Sequence, residues 1–125
     1  MNKIIYFLLF SFLFSFSFSQ EVLKENLTKR KKTYWDQKKR HLYSVGSYYK
    51  NKLNTTTKKH GKWYFYSKEG YLKEKRNYFL DSLHGQSMVY YQNDSLNEES
   101  HYLMGVLDSV YKHWGRNGAI TIKGN

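Results

Sequence analysis

The fold is decided by residues 61–85, which read GKWYFYSKEGYLKEKRNYFLDSLHG. In this stretch Leu72 is followed by Tyr78 and then by Leu83, and the same spacing recurs 24 residues further on. Across the chain the matching triplets are Leu42/Tyr48/Leu53, Leu72/Tyr78/Leu83 and Leu96/Tyr102/Leu107. A period of this length predicts a supersecondary unit that stacks on copies of itself.

Each unit has the pattern of two strands joined by a turn. Trp63 and Phe65 alternate with tyrosines, residues 67–70 (SKEG) have turn chemistry, and the residues up to Phe79 again alternate with a period of two. The pattern returns around residues 92–95 and 115–118, and the second of these turns contains Asn-Gly, the strongest short hairpin signal. The sequence therefore predicts an all-β protein, a single-layer antiparallel meander of stacked β-hairpins.

Residues 41–125 form the predicted repeat domain, with a degenerate unit at 41–59 and further units at 60–83, 84–107 and 108–125. Six extra residues at 54–59 predict a longer loop. Stacking places equivalent residues of neighbouring units side by side, which predicts a core stripe. Its members are Tyr66, Leu72, Tyr78, Tyr90, Leu96, Tyr102, Trp114 and Ile120.

The units resemble the MORN repeat, in the bacterial variant form found in YwqK-like proteins that are labelled antitoxins. The match is carried by Gly61, Trp63, Tyr66, Gly70, Leu72 and Tyr78, then by Gly85, Tyr90, Leu96 and Tyr102, and last by Trp114, Gly118 and Ile120. The resemblance implies an elongated sheet that serves as a scaffold for binding proteins or surfaces, and it implies no catalytic residues. The chain departs from the pattern at Asp94, where the turn glycine is missing, at Ser87 in place of tryptophan, and at residues 108–109.

The first 19 residues have the features of a secretory signal with a short helix. Lys3 precedes an apolar run from residue 4 to residue 18, and small residues follow at the cleavage position. An uncleaved anchor is disfavoured because 15 residues of helix span only about 22 Å of a hydrocarbon layer about 30 Å thick. We therefore predict export to the periplasm, the envelope or the medium. An antitoxin-like role would require the N-terminus to be retained.

Positive charge is concentrated in the first third of the exported chain. Residues 20–62 hold 13 Lys/Arg against 3 Asp/Glu, a balance of +10, whereas residues 63–125 hold 7 against 7. Residues 20–40 are predicted to be a basic leader, partly disordered or a short helix within 22–34. Its candidate binding cations are Lys29, Arg30, Lys31, Lys32, Lys38, Lys39 and Arg40. The alternative is a solvated segment without a ligand.

No set of residues predicts catalysis, a metal site or a cofactor. The chain has no cysteine. His60 and His84 recur one unit apart, but Asp108 replaces the third histidine, and turn positions explain the pair better than a metal does. Glu74 and Glu98 are also equivalent, yet no nucleophile or phosphate loop accompanies them.

These observations favour an exported, non-enzymatic scaffold that binds an unidentified protein partner through a tyrosine-rich sheet face. The chain has 24 aromatic residues, 13 of them tyrosine, which exceeds what one sheet layer can bury. The candidate contacts are Tyr64, Tyr71 and Tyr91. The alternative is a charge-driven binder of an anionic membrane surface or glycan. Export disfavours nucleic acid as the ligand.

Overall fold

A computed structural model describes residues 21–124, and the predicted signal peptide lies outside that range. The described chain contains a short 3-10 turn at Lys24–Asn26 and nine strands. The strands are β1 (Lys31–Tyr34), β2 (Leu42–Lys50), β3 (Thr55–Tyr66), β4 (Leu72–Phe79), β5 (Ser82–Leu83), β6 (Gly85–Tyr90), β7 (Leu96–Leu103), β8 (Val106–Trp114) and β9 (Ile120–Gly124).

All nine strands belong to one open antiparallel sheet. Their order is β1-β2-β3-β4-β6-β7-β8-β9, and the two-residue β5 pairs with the end of β4. Each strand pairs with its neighbours along the chain, so the predicted all-β meander of consecutive hairpins is confirmed. Within residues 21–124 there is no helix of the length and apolarity needed to span a bilayer.

Four hairpins close along the upper edge of the sheet, and the last three of them have one kind of turn. In the second hairpin the Ser67 amide donates to the Tyr71 carbonyl at 3.0 Å, and the Gly70 amide donates to the Ser67 carbonyl at 3.0 Å. The last residue of this turn has positive φ in all three, at Gly70 (97°), Asp94 (68°) and Gly118 (84°), whereas the first turn is longer, is closed by the Trp35 amide and the His41 carbonyl, and has positive φ at Lys39 (56°). Aspartate tolerates this left-handed conformation better than most residues do, which explains how Asp94 replaces the expected glycine.

Tight two-residue turns join the units along the lower edge. Both central residues have positive φ at Leu80 and Asp81 (46° and 70°) and again at Met104 and Gly105 (47° and 87°). Positive φ at both central residues is typical of a type I′ turn, whose twist matches that of the two strands it joins. Each turn also bonds to the preceding unit, because the Asp81 amide donates to the Lys59 carbonyl and the Gly105 amide to the Leu83 carbonyl, at 2.8 and 2.7 Å.

Each of the four hairpins that close at the upper edge has a register shift just before its turn. The shifts fall between Thr33 and Tyr34, Phe65 and Tyr66, Val89 and Tyr90, and His113 and Trp114. A bulge adds a local right-handed twist to the strand that carries it. The four upper hairpins therefore share this source of twist, and additional shifts occur in the β2–β3 and β7–β8 pairs.

The core lies in β2, β3 and β4. Its buried hydrophobic residues are Val45, Trp63, Phe65 and Tyr78. Trp63 is only 1% exposed, and its Nε1–H donates to the carbonyl of Ser47 at 2.9 Å. The indole lies so close to Gly46 that a methyl group there would come within 2.2 Å of the ring. Glycine at position 46 is therefore what allows the tryptophan to lie flat on the neighbouring strand.

The residues of the predicted core stripe differ in burial. Of its eight residues Tyr78 is buried, Ile120 is 53% exposed, and the other six are intermediate. The reason is that a single layer has no second layer to cover equivalent positions in every unit. Burial is instead concentrated where Trp63 and Phe65 meet the rings of Tyr48 and Tyr78.

The predicted basic leader is corrected. In place of the short helix or partly disordered segment predicted within residues 22–34, the structure has a 3-10 turn at Lys24–Asn26 and strand β1, which pairs with β2, and the Thr28 amide donates to the Tyr48 carbonyl at 3.0 Å. Strand β1 is the first strand of the degenerate unit, so that unit begins upstream of residue 41. The longer loop predicted at 54–59 is absent as well, since β3 begins at Thr55 and the extra residues lengthen the strand.

Candidate interaction surface

A row of alternating cations and tyrosines crosses one face of the sheet. Tyr64 pairs with Lys75, and Lys75 pairs in turn with Met88, so the three side chains share a face. The Lys75 ammonium lies 6.0 Å from the centroid of Tyr64 and 5.6 Å from that of Tyr90, and the Arg30 guanidinium lies 5.2 Å from Tyr64. We call Arg30, Tyr64, Lys75 and Tyr90 the cationic tyrosine row.

The row leads into an open groove beneath the upper turns. The groove has a volume of about 510 Å³. Its lining includes Lys73, Tyr71, Tyr90, Tyr91, Asn97 and Arg116. The Tyr91 hydroxyl donates to the Trp114 carbonyl at 2.7 Å, and Arg116 lies 5.9 Å from the Tyr91 ring. Among the described atoms, the buried Oδ1 of Asn97 has no hydrogen-bond partner, so the groove offers an unused acceptor. We call these six residues the tyrosine groove.

The three candidate tyrosines are thus brought to one connected surface, although not to one point. Tyr71 and Tyr91 line the tyrosine groove together. Tyr64 does not line it, and it is linked to the groove through Lys75 and Tyr90. The ring of Tyr90 belongs to both parts.

The seven candidate cations are dispersed. Arg30 is the one that joins the cationic tyrosine row. Lys29 and Lys31 line a separate groove beside β2, and Lys32 is an exposed residue of β1. Lys38, Lys39 and Arg40 lie in the upper turn after β1.

That upper turn is organised by Asp36. Its carboxylate accepts hydrogen bonds from the amides of His41 and Arg40, at 2.8 and 3.0 Å. The bond from His41, followed by those from Arg40, lowers the pKa of Asp36 below its ordinary value despite an opposing contribution from burial. Arg40 is therefore neutralised locally, which leaves Lys38 and Lys39 as the unpaired charges of the turn.

Most of the positive charge has no internal counter-ion. Among the described residues, carboxylates form ion pairs with Arg40 and Arg76 and contact the ring of His41, and no lysine with a described side chain forms an ion pair. Unpaired surface cations raise the potential around them and steer anionic partners toward the surface. The electrostatics therefore favour an acidic ligand over a basic or neutral one.

The repeated histidines serve the turns of the lower edge. Nδ1 of His60 accepts a hydrogen bond from the Leu80 amide at 3.2 Å, and Nδ1 of His84 accepts one from the Met104 amide at 3.2 Å. The ring of Phe79 lies between them, with centroid distances of 4.9 Å to His60 and 5.9 Å to His84. The two imidazoles therefore do not face a common ion. Within residues 21–124 there is no cluster of three or more histidine, aspartate or glutamate residues arranged to hold a metal.

The candidate acid/base pair is separated by a strand. Glu74 pairs with Val89, and Val89 pairs with Glu98, so the two glutamates lie two strand spacings apart, about 9.6 Å. Glu74 accepts a bond from Nε of Arg76 at 2.6 Å, and Arg76 donates to the Tyr78 hydroxyl at 3.2 Å. Burial opposes ionisation of Arg76, but the bond to Tyr78 and the charge of Glu74 outweigh it and raise its pKa. Glu74 is thus occupied as a structural counter-ion.

Sequence reasoning missed Lys73, Lys75 and Arg116 because they lie outside the basic third of the chain. If the Tyr66/Leu72 pairing continued without a bulge, Tyr64 would face Glu74, whereas the register shift at Phe65/Tyr66 pairs Tyr64 with Lys75. The signal that could have found these residues is a basic side chain facing a tyrosine across a predicted hairpin.

Comparison of the chain with protein-family models, with curated proteins and with solved structures finds no match in any of the three. The surface must therefore be interpreted from its own chemistry.

Proposed function

We propose that the protein is a non-enzymatic scaffold that binds an acidic protein partner through the cationic tyrosine row and the tyrosine groove. The observation that carries the proposal is the placement of Lys75 between the rings of Tyr64 and Tyr90, with no carboxylate of the described residues paired to it. Tyrosine supplies a broad contact area at a low entropy cost, and the adjacent cations select acidic partners.

The proposed architecture is the MORN-like one. It is supported by the recurrence of the same turn, the same bulge and the same histidine bond at intervals of 24 residues in the central units. In repeat proteins of this kind a long, regular face is available for a partner because each unit contacts only its neighbours.

The test is capture of partners from an envelope fraction with the full chain as bait. A partner bound in stoichiometric amount should be lost when Tyr64 and Tyr90 are both changed to serine, and its retention should fall as salt is added. Tyr111→Ser is the matched control, since Tyr111 pairs with Ser100 next to the Glu99/Lys112 pair and so lies on the opposite face. Equal capture by all three proteins would refute the proposal.

A second candidate function is charge-driven binding to an anionic envelope surface. It is favoured by the unpaired lysines on and beside β1, which form a basic border on the sheet. Vesicles that contain phosphatidylglycerol distinguish the two functions. Sedimentation with them that survives the Tyr64/Tyr90 double change, and that is lost when Lys31 and Lys32 become glutamine, would support this candidate over the first.

Both candidates take the chain to be exported after cleavage near residue 19. Intact-mass measurement of the protein from its native source tests that premise. A mass that includes residues 1–19 would favour the antitoxin-like alternative, in which the same surface would meet a cytosolic partner.

A further inference from the structure

A second groove lies beside β2, apart from the cationic tyrosine row. It is formed where residues 28–31 run along β2 and where β3 begins, and its volume is about 490 Å³. Its lining consists of Thr28, Lys29, Lys31, Tyr48, Lys50, Thr55, Thr56 and Thr57. We call it the threonine–lysine groove.

The groove is cationic and has no carboxylate in its lining. Lys29, Lys31 and Lys50 each contribute an ammonium group, and none of the three is paired with a described acidic side chain. Lysine acts as a compact point charge with three donors and commonly binds phosphate groups. A phosphate monoester carries a charge of about −1.5 to −2 near neutral pH, which suits three neighbouring cations.

Two of the four threonine hydroxyls are already used by the fold. The Thr28 hydroxyl donates to the Lys29 carbonyl and accepts from the Tyr48 amide, both at 3.0 Å. The Thr56 hydroxyl donates to the Tyr49 carbonyl at 2.8 Å. These bonds fix the walls of the groove.

The other two hydroxyls are unused within the described part of the chain. Thr55 and Thr57 alternate on β3, so their side chains point to the same face, and neither makes a hydrogen bond there. A threonine hydroxyl can both donate and accept a hydrogen bond. It can therefore pair with a sugar hydroxyl, which also does both. Tyr48, half-buried in the floor, adds an aromatic surface.

The size of the groove favours a sugar phosphate over a bare phosphate ion as the ligand. A volume of about 490 Å³ is within the range of sites for small organic ligands and far exceeds that of one phosphate. We propose that the threonine–lysine groove binds a phosphorylated saccharide, with Lys31 and Lys50 on the phosphate and with Thr55 and Thr57 on the sugar hydroxyls. This site is independent of the partner surface proposed above.

The experiment titrates the full, isotope-labelled chain with glucose 6-phosphate, inorganic phosphate and glucose, following amide shifts by NMR. Glucose 6-phosphate should shift the amides of residues 28–31 and 55–57 and should bind more tightly than phosphate, while glucose alone should cause no shift. Changing Lys31 and Lys50 together to glutamine should weaken binding at least about tenfold. Changing Lys38 and Lys39 to glutamine removes the same charge from the upper turn and should leave the affinity unchanged.

Thr57→Ala separates the two halves of the site. It should weaken the binding of glucose 6-phosphate while leaving that of inorganic phosphate as it is, because it removes a contact to the sugar alone. Equal weakening by the two lysine pairs would overturn the proposal in favour of bulk electrostatics. Binding of phosphatidic acid vesicles through Lys31 and Lys50 without binding of glucose 6-phosphate would assign the groove to lipid headgroups and would also overturn it.

Discussion

At the scale of single residues, the histidines show how a repeated side chain can be structural and still respond to pH. His60 is 2% exposed, and its unprotonated Nδ1 accepts the Leu80 amide at the lower turn. Protonation would convert this acceptor into a donor facing another donor. Burial accordingly lowers the pKa of His60 below 6.5.

This shift predicts acid destabilisation. The unfolded chain, with an ordinary histidine pKa of about 6.5, takes up a proton more readily than the folded chain does. The contribution of His60 to the free energy of unfolding is therefore complete above about pH 6.5 and is lost as pH falls through the lower pKa of the folded state. Urea unfolding between about pH 8 and about pH 5 measures it.

His60→Gln should flatten that pH dependence, because glutamine keeps an acceptor but does not titrate. His101→Gln serves as the matched control and should retain the slope. If the two variants lose stability in acid as steeply as the unmodified chain, another group is responsible for the effect.

The histidines also mark how far single residues can be read from sequence. Their equivalent spacing predicts turn positions, which is wrong for His60 because it lies within β3, although the rings of His60 and His84 are each bonded to a turn amide. The buried pairing of Trp63 with Gly46 was not predicted, because these residues are brought together by the offset between β2 and β3. Local alternation carries no information about such an offset.

At the scale of elements, the lower turns place a leucine and a methionine at positive φ, which is unfavourable for these residues, whereas two of the four upper turns have glycine at the positive-φ position. Leu80 has φ of 46°, in the left-handed region that costs an ordinary L-residue roughly 1–2 kcal/mol. Its side chain is 36% exposed, so apolar burial offsets only part of that cost.

Leu80→Asn should therefore stabilise the protein. Asparagine is favoured at the first central position of this turn, and the backbone bond from residue 80 to His60 is kept. We expect a gain of about 0.5–1 kcal/mol in the free energy of unfolding, seen as a higher midpoint in thermal denaturation. Leu80→Ala removes the same apolar contacts without the turn preference, and it should not show this gain. A lower midpoint for Leu80→Asn would mean that the leucine side chain contributes more by packing than the turn costs.

The hairpins themselves could be predicted from the sequence, since alternation and turn residues are local signals. Strand β1 could not be predicted in this way. Its four residues, KKTY, are too basic to predict a strand. They form a strand because they pair with the edge of β2, where the side chains of Thr33 and Ser44 are hydrogen-bonded to each other. The bulges could not be predicted from the sequence either, because their positions depend on the register between two paired strands.

At the scale of the whole molecule, stability is distributed unevenly along the sheet. Among the residues whose side chains the structure describes, the four buried hydrophobic ones, Val45, Trp63, Phe65 and Tyr78, lie in β2–β4. By contrast, Val106, Leu107 and Ile120 in the last two strands are exposed. A sheet whose units contact mainly their neighbours opens locally from its weakly packed end.

Hydrogen exchange should reveal this gradient. Amides of Trp63 and Phe65 in β3 should exchange slower, by roughly two orders of magnitude or more, than those of Ile120 and Thr121 in β9. Shortening the chain after Gly118 should leave the slow amides of β3 unaffected, because β9 contacts β8 and not the core. Uniform exchange rates across the strands would instead indicate a single cooperative unit.

The recurring bulge and turn have a consequence for how such a chain can change in length. Because side chains alternate between faces, one inserted residue within a strand would turn every later side chain to the wrong side. A complete block of 24 residues preserves both the alternation and the bonds from turn to turn. Growth or loss by whole blocks is therefore the route by which a ribbon of this design can vary in extent while its surfaces remain in phase.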